Sequence, residues 1–145
     1  AVIGGSPARF EPLVDLYHRA LAEFDKPRLP VAMHSPGHVA ASDEQAREEH
    51  YVPQRDAFAR IGKERGWGEP MSPAEYDAHC GPTGAYFVGS PETVAHKIAW
   101  AIRTLGLSRF NMKYAVGNLP HEQRLESLRL YGTEVVPRVR QLLAE

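Results

Sequence analysis

The sequence predicts an α/β fold in which parallel strands alternate with crossover helices, and two observations carry that prediction. Along 145 residues the patterning runs strand tail, helix, strand, long helical segment, short extended piece, helix, strand, helix, the order that parallel strands with helical crossovers produce. Three strand-to-helix turns also share a chemistry: Ile3-Gly4-Gly5-Ser6-Pro7, Val88-Gly89-Ser90-Pro91 and Val116-Gly117-Asn118-Leu119-Pro120. Glycine allows close backbone approach, and a helix N-terminus presents free N–H groups to an anion. The same residues also serve simply to turn and cap the chain.

The elements follow from local signals. Ser6-Pro7 starts a helix, with one loose turn before Pro12 and an apolar stripe of Leu13, Leu16, Tyr17, Ala20, Leu21 and Phe24 that stops at Pro27. Leu29 to Ser35 reads as a short strand ended by the turn signal Pro36-Gly37. Ser42 and Gln45 form a capping box for a helix from Asp43 towards Arg65, with an interruption expected at Pro53. Ser72-Pro73-Ala74-Glu75 opens a short helix ending near Cys80, and Ala85 to Val88 is extended. The best-punctuated helix starts at Ser90-Pro91, carries Val94, Ile98, Ala101, Ile102 and Leu105, and closes at Gly106. Phe110 to Val116 alternates as a strand, and the helix from His121 onward should bend at Pro137.

Composition narrows the function classes. Seventeen Lys+Arg against 18 Asp+Glu give a formal charge of -1, which excludes a nucleic-acid binder built on excess basic charge. With 43% hydrophobic and 24% charged residues the chain is too apolar for a disordered segment. One cysteine, Cys80, cannot form an internal disulfide, and no apolar run approaches the roughly 18 residues of a membrane span. A single cytoplasmic domain spanning 1–145, with no membrane partner, is expected. The opening Ala1-Val2-Ile3-Gly4-Gly5 reads as a strand tail without a lead-in, so the chain is expected to start inside a larger fold.

At this point the residues carry a family resemblance. Ile3-Gly4-Gly5-Ser6-Pro7-Ala8-Arg9-Phe10, Phe87-Val88-Gly89-Ser90-Pro91-Glu92-Thr93-Val94-Ala95, Lys113-Tyr114-Ala115-Val116-Gly117-Asn118-Leu119-Pro120-His121-Glu122 and Gly132-Thr133-Glu134-Val135-Val136-Pro137-Arg138-Val139 resemble the C-terminal part of luciferase-like monooxygenases. The resemblance implies a TIM-type (β/α)8 barrel that uses reduced flavin mononucleotide (FMN), or in related branches a deazaflavin coenzyme, with oxygen to oxidise a small organic substrate. A complete barrel takes about 250 residues. The chain is therefore expected to supply about three parallel strands with their crossover helices, to leave the barrel open, and to self-associate into a homo-oligomer through uncovered edges. A catalytically silent, self-associating module is the alternative.

Parity arguments single out candidate residues. In Phe110 to Val116, Phe110, Met112, Tyr114 and Val116 share one face, which leaves Asn111 and Lys113 facing the barrel interior. In Val31 to Ser35, Ala32 and His34 share a face, so His34 and Lys113 are the candidate catalytic pair at the barrel mouth. The alternative is a hydrogen-bonded core imidazole and a snorkelling lysine. Gly4, Gly5 and Ser6 are the candidate cofactor-binding turn, and Arg9 after them is either an anion contact or a plain surface residue. His34 and His38 have a spacing that suggests metal, but Pro36-Gly37 separates them and no Cys or Asp completes a set, so no metal is expected. Cys80 beside His79 reads as a small buried thiol, and the Asp43 to Glu49 charge run as a solvated helix face.

Overall fold

The computed structural model covers residues 1–145. Its elements are β1 (Val2–Ile3), α1 (Pro7–Glu23), β2 (Ala32–Val39), α2 (Asp43–Arg65), α3 (Pro73–Cys80), β3 (Phe87–Gly89), α4 (Pro91–Leu105), β4 (Arg109–Lys113), α5 (His121–Leu130) and α6 (Val136–Ala144). Every strand pairing is parallel and every one involves β2. β1 pairs at Met33 and His34, β4 from Ala32 to Pro36, and β3 from Gly37 to Val39. Met33 and His34 each pair with both β1 and β4, which therefore occupy opposite edges of β2. The α/β architecture with crossover helices is as the sequence predicts, with four strands in place of three, and the sheet does not close on itself.

Alternation along the strands separates two faces. Val2, Met33 and Phe110 share one row, and Met33, Val39 and Phe87 pack with Val94, Ile98, Ala101 and Leu105 of α4 in the main core. α4 thus buries the stripe its sequence advertised, with Ser90 Oγ accepting from the Thr93 N–H. The opposite row is Ile3, His34 and Asn111; Ile3 is 67% exposed. The accessible surface, 8617 Å², exceeds by about 1,200 Å² the roughly 7,400 Å² expected for a closed domain of this mass.

Several proline readings are corrected. β2 runs straight through Pro36-Gly37, which the sequence marks as a turn. β1 ends opposite His34, so Pro36 lies where one edge of β2 is already free of its neighbour, the setting in which a strand tolerates a missing N–H. Gly37 is required by close packing: a Cβ there would stand 2.6 Å from the Met112 side chain and 2.7 Å from the Phe87 carbonyl oxygen. α1 includes Pro12 without a loose turn, and α2 continues through Pro53 without a break. Near Pro137 the irregularity lies just upstream, as a π-helical turn over Tyr131–Val135. The proline cannot donate to the Thr133 carbonyl one turn back, and a widened turn accommodates the loss. β4 ends at Lys113, before the predicted Val116. No helix is long and apolar enough to cross a membrane.

Candidate functional site

In parallel α/β folds the C-terminal ends of the strands carry the chemistry, because the helix N-termini and variable loops gather there. Here that end of β2 is covered by α2. The buried residues of α2 include Ala46, His50, Pro53 and Gln54, spaced as one helical face, and two of these four are polar. On β2 the open-face row of Ala32, His34 and Pro36 leads to His38, which is fully buried.

His38 Nε2 lies 2.6 Å from Glu49 Oε2, and the Glu49 side chain is only 16% exposed. Gln45 Nε2 donates to the other Glu49 oxygen at 2.8 Å. Gln45 therefore turns towards Glu49, while its own N–H is capped by Ser42 Oγ at 3.1 Å. His50 Nδ1 sits 3.0 Å from the Tyr76 hydroxyl, and its ring lies nearly parallel to that of His38, with centroids 6.1 Å apart. Burial, with the neighbouring charges of His38 and Lys113, takes the His50 pKa down to about 3, so this imidazole is neutral in any ordinary buffer. Burial likewise raises the Tyr76 phenol and the Cys80 thiol above their usual ranges. A carboxylate holding one imidazole edge fixes the orientation of the ring and the place of its proton.

His34 sits on the open face of β2, half-buried, in register with Ile3 and Asn111. Lys113 ends β4 in register with Pro36 and is exposed. Pro36 lies two positions beyond His34, so His34 and Lys113 lie on the same face of adjacent strands. Gly4, Gly5 and Ser6 follow β1 at the same C-terminal end; Gly4 has φ of 76° and Gly5 is buried. Ser6 is the N-cap of α1, yet its side chain caps nothing, and the first turn of α1 holds no acidic residue.

α4 differs. Asp43 Oδ1 accepts from the Ser90 N–H at 2.6 Å and Asp43 Oδ2 from Thr93 Oγ1 at 2.9 Å. Burial pulls the Asp43 carboxyl upward, but these bonds outweigh it and hold the pKa below the usual carboxylate range. The N-terminus of α4 therefore already has its anion. The solvated-face reading of Asp43 to Glu49 is corrected at both ends, because each terminal carboxylate is committed to a partner inside the fold.

The structure also brings together His38, Glu49, His50, Gln54 and Tyr76, none of which the sequence reading selected for the site. Their signal is the spacing of His50 and Gln54 on one face of α2, invisible to a search for apolar periodicity. No three His, Cys, Asp or Glu side chains gather as a metal set. Arg9 is exposed and Cys80 is buried. A cleft of about 580 Å³ lies between α2, the Cys80-to-Thr83 stretch and α4 and is lined by none of His38, Glu49, His50, Gln54 and Tyr76. Its Lys97 is spent on backbone carbonyls, with Nζ 2.6 Å from both Gly81 O and Tyr86 O.

No protein-family model matches the sequence, and no curated protein does. Solved structures do match. The chain is similar to monooxygenase RslO1 from Streptomyces bottropensis, with TM-score 0.69 and 16% identity over 94% of this chain and 40% of that one. It is similar to the oxygenating constituent of 3,6-diketocamphane monooxygenase from the CAM plasmid of Pseudomonas putida, in complex with FMN, with TM-score 0.61 and 18% identity over 94% of this chain and 42% of that one. It is also similar to the long-chain alkane monooxygenase LadA, with TM-score 0.59 and 14% identity over 97% of this chain and 36% of that one. The chain thus spans about two-fifths of the length of these proteins, and its fold is an open portion of a TIM-type (β/α)8 barrel.

Proposed function

We propose that the chain forms the C-terminal portion of a luciferase-like, flavin-dependent monooxygenase that uses reduced FMN and oxygen to oxidise a small organic substrate. The fold likeness to three monooxygenases supports the class, and the FMN-bound neighbour favours FMN over a deazaflavin coenzyme. The observation that carries the reading to this chain's residues is the uncommitted N-terminus of α1. The Ser6 hydroxyl is unbonded and no carboxylate stands in the first turn, which leaves this helix end open to an anion such as a phosphate group.

In this reading Gly4, Gly5 and Ser6 hold the flavin phosphate. Bound flavin supplies the redox and oxygen chemistry. Lys113 offers a positive charge and His34 a hydrogen-bonding edge on the face turned towards ring or substrate, and the remainder of a barrel would cover that face and exclude water. Cytoplasmic location belongs to the same reading, since a lone buried thiol suits a reducing compartment.

The test is twofold. Calorimetry should show FMN binding to this chain alone weakly or not at all, because a barrel pocket draws on loops after several strands and the immobilisation cost is still incurred in full. In the full-length protein, His34→Ala and Lys113→Ala should each lower turnover by about tenfold or more without altering the fold. Near-normal turnover in both would return the two residues to a structural role. A self-associating module is the second reading, favoured by the exposed Leu13, Leu16 and Tyr17 of α1 and Phe24 at its C-cap; a colourless, tightly associated oligomer would support it.

A further inference from the structure

Beneath α2, four side-chain atoms are buried and lack any protein partner: His38 Nδ1, His50 Nε2, and Nε2 and Oε1 of Gln54. All three side chains are fully buried. His50 and Gln54 stand one turn apart on the same face of α2, the His50 ring is beside that of His38, and the Gln54 amide lies near the Tyr86 hydroxyl without reaching hydrogen-bond geometry. Buried polar groups in folded proteins are satisfied almost without exception, by protein or by ordered water. The two imidazoles do not satisfy each other, because with ring centroids 6.1 Å apart no nitrogen of one ring comes within hydrogen-bond distance of the other.

We propose that His38, His50 and Gln54 form an internal water-binding site. One or two ordered waters there complete a polar chain from Glu49 through His38 and His50 to Tyr76. The donor set fits the guest. Glu49 holds the Nε2 edge of His38 and Tyr76 the Nδ1 edge of His50, so each ring has one free nitrogen, while the Gln54 amide brings a donor and an acceptor. Water, which donates twice and accepts twice, serves such a mixed set of buried donors and acceptors. The site is independent of the flavin reading, since it uses none of Gly4, Gly5, Ser6, His34 or Lys113.

The experiment is nuclear Overhauser transfer from long-lived water to the side-chain protons of His38, His50 and Gln54 in the 145-residue chain, paired with urea unfolding of Gln54→Met. Expected are cross-peaks signalling a slowly exchanging water at these side chains, and a fall of about tenfold or more in the folding equilibrium constant of the variant. If Gln54 has no water partner, replacing it by a near-isosteric apolar side chain removes two unsatisfied buried atoms and raises stability. That rise, or the absence of any long-lived water signal at all three side chains, overturns the proposal.

Discussion

At the scale of single residues, His50 is the group whose ionisation is most consequential for the fold. Its pKa falls to about 3 in the folded protein, against an ordinary value of 6.5. Between those values the unfolded chain binds a proton that the folded chain refuses, so stability should decline as pH drops from 6.5 towards 3. The loss from this residue is about 2–3 kcal/mol between pH 7 and pH 4.5. Carboxylates titrate in the same range, so the check is a difference: urea unfolding of the wild type and of His50→Gln at both pH values, with the variant less acid-sensitive by that amount. Equal acid sensitivity would mean that His50 takes up its proton without disturbing the fold. His50 was not legible in the sequence as a buried group, because its partners Tyr76 and His38 lie 26 and 12 positions away along the chain.

Among the elements, β2 shows where local signals stop. Pro36-Gly37 is a turn dipeptide by composition, yet here it is strand, because β4 and β3 supply partners along Ala32 to Val39 and Gly37 leaves room for Met112 and Phe87. Gly37→Ala should cost about 1–3 kcal/mol by overpacking. Thermal unfolding of the variant reads this directly, and an unchanged melting temperature would show that the strands are not so closely apposed. By contrast the start of α3 was legible residue by residue. Ser72 Oγ accepts from the Glu75 N–H while the Glu75 carboxylate accepts from the Ser72 N–H, a contact that needs no information beyond four consecutive residues.

The whole molecule is a sheet with one face uncovered. Ile3 on that face, Leu13, Leu16 and Tyr17 on α1 and Phe24 at its C-cap leave apolar surface in water, and both β1 and β4 have an outer edge with no strand beside it. Surfaces of this kind associate. Sedimentation of the chain at high concentration should therefore show species heavier than 16.1 kDa, with binding of an apolar dye at low concentration. A single monomeric species that binds no dye would contradict this.

The sequence by itself determined the succession of elements, the caps and stops of α3 and α4, the apolar stripe of α4, and the row assignment that puts His34 and Lys113 on one face. Each of these rests on spacing within a few residues, where backbone geometry leaves little choice. Only the tertiary structure decided that Asp43 caps a helix 47 residues later, that Glu49 turns inward to His38, and that α2 buries a face of histidine and glutamine. Those outcomes depend on which distant partner meets a polar group, and a polar side chain reads the same in sequence whether water or another residue satisfies it.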